Sequence, residues 1–108
     1  MILEGLVTTL NDSGSVNVAP MGPIASADLS RFTLRPFQTS HTYRNLKRHP
    51  EGVFHITDDV ELIARAALDG LETLPPVVTA EAVNGRVLVD CCRWFEFRVV
   101  ALDDSRER

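Results

Sequence analysis

The sequence has little of what small proteins of special chemistry depend on. It holds two cysteines in 108 residues, adjacent at Cys91 and Cys92, which excludes a disulfide framework. As neighbours on a strand they point to opposite faces, which also disfavours a vicinal bridge or a joint redox pair. The three histidines, His41, His49 and His55, contain no pair at helical i, i+4 spacing, so no metal centre is expected. No apolar run reaches the roughly 18 residues of a membrane-spanning helix. The start, Met1-Ile2-Leu3-Glu4, lacks the basic segment and cleavage pattern of a signal peptide, and the expected compartment is the cytoplasm. A net charge of -4 argues against general nucleic-acid binding.

A more local absence carries more information. Between Arg31 and Pro50 there is no acidic residue, while Arg31, Arg35, Arg44, Lys47 and Arg48 give this window +5. The rest of the chain holds 15 acidic and 6 basic side chains. A basic window in an acidic protein is either a solvated helix face or a reader of a local anion.

What is present describes one small domain, 44% apolar, with a core large enough to fold but no room for separate catalytic and cofactor domains. Ile2 to Leu10 reads as a strand with β-branched residues near its end. The turn cluster Asn11-Asp12-Ser13-Gly14 predicts a hairpin into Ser15–Ala19. There Val16 and Val18 face one way, Asn17 and Ala19 the other, and Met21 continues the Asn17 side if the chain stays extended. Pro20 and Pro23 end that strand or confine it to a sheet edge. Phe32–Arg35 predicts a third strand. Thr39 or Ser40 then stands where a helix N-cap belongs, and the helix runs to about His49 before Pro50. Gly52–Thr57 predicts a strand, with His55 a satisfied, half-buried side chain. A helix from Asp58 to about Leu68 follows, with Gly70 at its C-terminal cap. Strands are expected at Val77–Val83, Arg86–Asp90 and Trp94–Leu102, the first two joined by a type I′ turn at Asn84-Gly85. Trp94, Phe95 and Phe97 face both ways, as a core residue beside an interface or ligand-edge residue would. Residues 103–108 form a charged tail. The pattern is mainly β, a small antiparallel barrel of six or seven strands with short helices.

Two segments could carry chemistry. From Arg35 to Asn45, two arginines, three hydroxyls and His41 gather at a strand end and a helix start. A helix N-terminus presents unpaired N–H groups and partial positive charge, which attract phosphate. Arg35 would add a fork matched to phosphate oxygens. Against this, Thr39 or Ser40 could simply cap the helix while the arginines are solvated. The second segment, Gly14–Pro23, presents a small Asn17–Ala19 face on which a flat ring could lie, with Met21 as a soft apolar contact. Taken alone, an ordinary edge strand with ordinary turn chemistry explains it better.

Taken together, Asn17-Val-Ala19-Pro20, the strand ending in Arg35, Thr42-x-x-Asn45 at a helix start, and Gly52-Val-Phe-His-Ile56 resemble the FMN-binding split β-barrel proteins, in an uncharacterised branch related to the flavin reductase-like proteins. The resemblance runs from Ile2 to about Leu102. It implies that Arg35, Thr39, Ser40, Thr42 and Asn45 contact the phosphate and ribityl chain. Asn17, Ala19, Pro20 and Met21 would face the isoalloxazine ring, and Tyr43 would either join the site or pack the helix on the barrel. It also implies a homodimer with FMN near the interface, and NAD(P)H as an electron donor in reductase relatives. No Gly-x-Gly-x-x-Gly nucleotide motif is present to carry the latter.

Members of this branch continue into a partly helical second half, whereas this sequence stops at Arg108, as a truncated chain or a short member would; either way the substrate-shaping residues of that half are not among these 108. The function this implies is FMN binding, with an oxidoreductase whose flavin carries the redox chemistry. A dimeric module that holds or senses flavin without turnover is the alternative. A third reading, from the basic window alone, is an interaction domain for some other phosphate compound.

Overall fold

The first strand, β1 (Gly5–Leu10), is buried along nearly its whole length, because it is paired on both sides. On one side it pairs antiparallel with β2 (Val16–Met21), the two joined by the expected turn, where Gly14 adopts φ +90. A positive φ is costly for residues with a Cβ, which is why glycine stands there. On the other side β1 pairs with β5 (Glu51–Ile56), and β5 with β8 (Arg93–Arg98), giving a four-stranded antiparallel sheet in the order β2-β1-β5-β8. Two ribbons complete the strands: β3 (Ile24–Ala25) with β4 (Phe32–Thr33), and β6 (Val77–Thr79) with β7 (Arg86–Leu88). Helices α1 (His41–Arg48) and α2 (Val60–Leu68) lie between strands. The computed structural model describes residues 3–68, 75–89, 91 and 93–101, apart from the side chains at 60 and 68.

The mainly β class with two short helices is as expected. Among the described residues no closed barrel forms: β3–β4 and β6–β7 are separate two-stranded sheets, and β2 and β8 are the edges of an open four-stranded sheet. Pro20 does not end its strand. It sits opposite Leu6 within β2, tolerated because β2 is an edge and its missing N–H leaves no gap in a central ladder. The strands expected at Phe32–Arg35, Val77–Val83 and Arg86–Asp90 are shorter, at Phe32–Thr33, Val77–Thr79 and Arg86–Leu88.

The largest departure is at Asn84-Gly85. Residues 80–85 form a wider loop closed by Ala80 N–H donating to Gly85 O at 3.0 Å. Among the described residues only Gly14 and Leu29 have positive φ, so the type I′ turn is absent. Side chains from the main sheet organise the loop instead. The Glu96 carboxylate accepts the N–H groups of Glu81, Ala82 and Val83, and Glu51 accepts that of Asn84. Cys91 lies outside any strand, with its Sγ on Leu88 O at 3.1 Å. Ile2, Gly70, Asp90, Cys92, Leu102 and the 103–108 tail lie outside the described residues.

The sheet has two differently used faces. On one, Leu6 packs with Ala66 and Leu88, flanked by Val18 and Ile63, while Val53 joins Ala80, Val83 and Val87 under the β6–β7 hairpin. His55 belongs to this face and is fully buried rather than half-buried. Its Nδ1 donates to Leu6 O at 3.1 Å, and its Nε2 accepts from Leu88 N–H at 2.9 Å. Those partners fix the neutral Nδ1–H tautomer, and burial pushes the imidazole below its ordinary range against the opposing pull of the Leu6 carbonyl. The other face carries Asn17, Val7, Phe54 and Phe95. It is covered by α1 and by Phe32, whose ring meets those of Phe54 and Phe95 at centroid distances of 5.8 and 5.2 Å.

Candidate functional site

The segment 35–45 is built around one cap. Ser40 Oγ accepts from Tyr43 N–H at 3.1 Å and donates to Phe37 O at 2.6 Å, so this hydroxyl is occupied in starting α1. The first turn of the helix contains no acidic residue, and its last turn carries Lys47 and Arg48. Its N-terminal end is therefore a patch of partial positive charge with the N–H groups of His41 and Thr42 at the tip, lacking intrahelical acceptors. Thr39 and Arg35 are exposed just before it. Arg35 makes no ion pair among the described residues, whereas Arg48 is tied to Leu10 O and Asn45 Oδ1.

The helix is held over the sheet by amides and hydroxyls. Asn45 is buried, and its Nδ2 donates to Thr9 Oγ1 and to Asn11 Oδ1, both at 2.9 Å. Thr42 is also buried, and its Oγ1 accepts from Asn17 Nδ2 at 3.2 Å. The structure thus brings Asn17 and the helix start together, as the expected site requires. It does so by linking them to each other, with Thr42 accepting from Asn17 and Asn45 bonded to Thr9, Asn11 and Arg48. Ala19 and Met21 lie further along the same face of β2, beyond the Asn17 contact, and are half-buried.

Tyr43 and Arg35 point the site in a second direction. Both line a groove of about 1220 Å³, together with Leu46, Phe54, Phe95 and Phe97. Arg31 and Arg98 also line it, and it runs along β8, the free edge of the main sheet. Small-molecule sites occupy roughly 300–1,000 Å³, so this groove has space for a ligand and for a covering segment as well. The β2 residues Asn17, Ala19, Pro20 and Met21 do not line it. The expected site is therefore divided: one strip on β2, one groove along β8, and the 35–43 segment between them.

Sequence reasoning did not assign Arg31, Leu46, Phe54 or Arg98 to a site. The inward pattern of the strand containing Phe54 was legible, but its position on the groove floor depends on how β4 crosses it. Among the described residues no group of three or more His, Cys, Asp or Glu side chains is placed to hold a metal ion. No helix among them is long and apolar enough to cross a membrane.

No functionally curated protein matches the chain. Among solved structures it is similar to that of the FMN-bound protein MM1853 from Methanosarcina mazei, described under the family DUF447. The likeness has a TM-score of 0.79 at 23% sequence identity, covering 98% of this chain and 53% of that one. The chain thus spans about half the length of its structural relative. The family model for the N-terminal domain of DUF447, a protein of unknown function, matches residues 3–108, and the chain belongs to that family.

Proposed function

We propose that this chain binds FMN in a split-barrel arrangement, as a homodimer with the flavin near the interface. The reading is carried by the similarity of nearly the whole chain to a structure described as FMN-bound, within the same family. The local chemistry fits the phosphate. The exposed guanidinium of Arg35, without an ion pair among the described residues, the exposed Thr39 hydroxyl and the amides at the start of α1 all fall within one stretch of sequence without carboxylates. Ser40, Thr42 and Asn45 serve this site by holding the helix start in place. The Asn17–Met21 strip would face the ring, with Ala19 giving a flat approach and Met21 a polarizable contact. Tyr43 lines the β8 groove, as does Arg35.

When bound, FMN supplies the hydride-accepting chemistry of its ring. This chain's part is to fix the phosphate, lay the ring on β2 and shield it from water. The finer reading is a flavin reductase-like oxidoreductase in the cytoplasm that draws on NAD(P)H, its substrate side completed by residues outside this segment. The test is direct. The purified protein is expected to be yellow, or to take up added FMN with a shift of the flavin absorbance bands. A colourless protein that ignores added FMN refutes the proposal. Stopped-flow mixing with NADH or NADPH is then expected to bleach the bound flavin faster than free FMN. No acceleration would leave a flavin-holding module in place of a reductase.

A further inference from the structure

The β6–β7 hairpin is fastened to the main sheet in a way the other strands are not. Within the sheet, β2, β1, β5 and β8 are joined by backbone ladders, which contain nothing that titrates near neutral pH. Toward the sheet, the hairpin's N–H groups at Glu81, Ala82, Val83, Asn84 and Leu88 donate to side chains, all of them titratable. Glu96 of β8 takes Glu81 at 3.1 Å and Val83 at 3.3 Å, with Ala82 between them. Glu51 of β5 takes Asn84 at 2.9 Å, and His55 takes Leu88 at 2.9 Å.

We propose that the hairpin is an acid-released flap: protonation of His55, Glu51 and Glu96 frees Val77–Leu88 from the sheet while the β2-β1-β5-β8 ladders stay paired. The imidazolium has no acceptor, so Leu88 N–H would face another N–H at a fully buried position. A protonated carboxyl loses its charge and turns one oxygen into a donor, which weakens the row of three amides on Glu96 most. Each group is already held toward the binding form. Burial lowers His55. The Asn84 amide, then Arg98, lowers Glu51. At Glu96 partial desolvation pushes upward but is outweighed by the Ala82 and Glu81 amides, the Trp94 indole and the Val83 amide.

No charged residue lies on β1 beside His55, and the charged side chains of the other packed elements, Glu61 and Arg65 of α2 and Arg93 of β8, are exposed. Arg86 of β7 is half-buried and donates to Gly85 O at 3.0 Å. At the tip, Arg98 pairs with Glu51 at 2.6 Å and donates to Ala82 O at 3.0 Å. His49 lies 3.7 Å from Glu51 and bonds Asn84 O at 2.9 Å. His55 thus governs the bond to Leu88, and the two carboxylates govern the tip. Thr8 Oγ1 on Arg86 O at 2.7 Å, and the apolar cluster of Val53, Ala80, Val83 and Val87, are the links acid does not touch.

Amide hydrogen exchange on the full chain between pH 7 and pH 4, expressed as protection factors, tests this. Amides of Ala80 and Leu88 are expected to lose at least about tenfold in protection relative to those pairing β1 with β5, the effect of one group taking up its proton across a single pH step. Glu96→Gln, a change at a half-buried side chain on the sheet edge, is expected to lower hairpin protection already at pH 7 and to flatten its pH dependence. His55→Gln should do the same at Leu88. Equal loss in hairpin and sheet would mean global unfolding and overturn the proposal. So would constant hairpin protection down to pH 4, or a Glu96→Gln profile identical to that of the parent chain.

Discussion

Asn45 donates to Thr9 Oγ1 at 2.9 Å across the buried seam between α1 and β1, and its second amide hydrogen reaches Asn11 Oδ1 at the same distance. Its own oxygen accepts from Arg48 at 3.3 Å, so a single side chain has each of its polar atoms engaged. Through it the turn after β1, the strand and the helix form one unit, and the helix start keeps its position over β2.

Replacing Asn45 by Ala is expected to cost about 2–3 kcal/mol, because its bonds to Thr9, Asn11 and Arg48 are lost and Thr9 is left buried without this partner. Urea denaturation of the parent and the variant measures it. A loss below about 0.5 kcal/mol would mean that water or a neighbour replaces the amide.

Arg35→Ala separates phosphate recognition from ring recognition. FMN is expected to weaken by about 1.5–3 kcal/mol, the value of one charge-assisted contact, with riboflavin affinity nearly unchanged. Fluorescence titration with both ligands gives the comparison. An equal loss for the two would assign Arg35 to the ring or to the fold.

His55 makes overall stability fall on acidification. Its folded pKa is lowered by burial, so the unfolded chain binds more protons in the window between the folded and unfolded values. The contribution is complete above the ordinary imidazole value of about 6.5, and it is lost as the pH falls from there toward the folded value. Chemical denaturation at pH 7.5 and pH 5 should show this slope, and His55→Gln should reduce it. A parent chain equally stable at both values would contradict the buried neutral ring.

Gly5→Ala tests how closely β1 and β5 approach. A Cβ at Gly5 would collide with the backbone carbonyl of His55 and crowd the Phe54 ring. Backbone cannot swing aside as a side chain does, so the substitution is expected to destabilise by about 3 kcal/mol, the upper part of the overpacking range. Gly14→Ala meets no neighbouring atom and should be milder, its cost arising only from φ +90. Thermal melts of the two variants rank them, and the reverse order would refute the close β1–β5 pairing at Gly5.

Much of the local structure was legible because short-range chemistry decides it. The Asn11–Gly14 turn, the Ser40 cap and the stop at Pro50 depend on residues within a few positions of one another. So does the alternation that puts Val18 in the core and Asn17 under the helix. Asn84-Gly85 failed as a hairpin signal for the opposite reason. Its conformation is set by Glu51 and Glu96, which are distant in sequence and outcompete the local turn preference by supplying carboxylate acceptors.

The absence of acidic residues between Arg31 and Pro50 was written in the sequence, and so was the helix start that concentrates positive charge there. The sequence also singled out Arg35 among the five basic residues, but not the partners that hold the others. Arg48 is drawn back onto Leu10 and Asn45 while Arg35 stays exposed, because the path of the chain over the sheet decides which side chains find acceptors. The same path buries Thr42 and Asn45, divides the expected site between β2 and the β8 groove, and sets His55 between two backbone groups it alone can join. Pattern and propensity act over a few residues and determine the elements. Burial and partnership act across the sheet, and only the tertiary structure decided them.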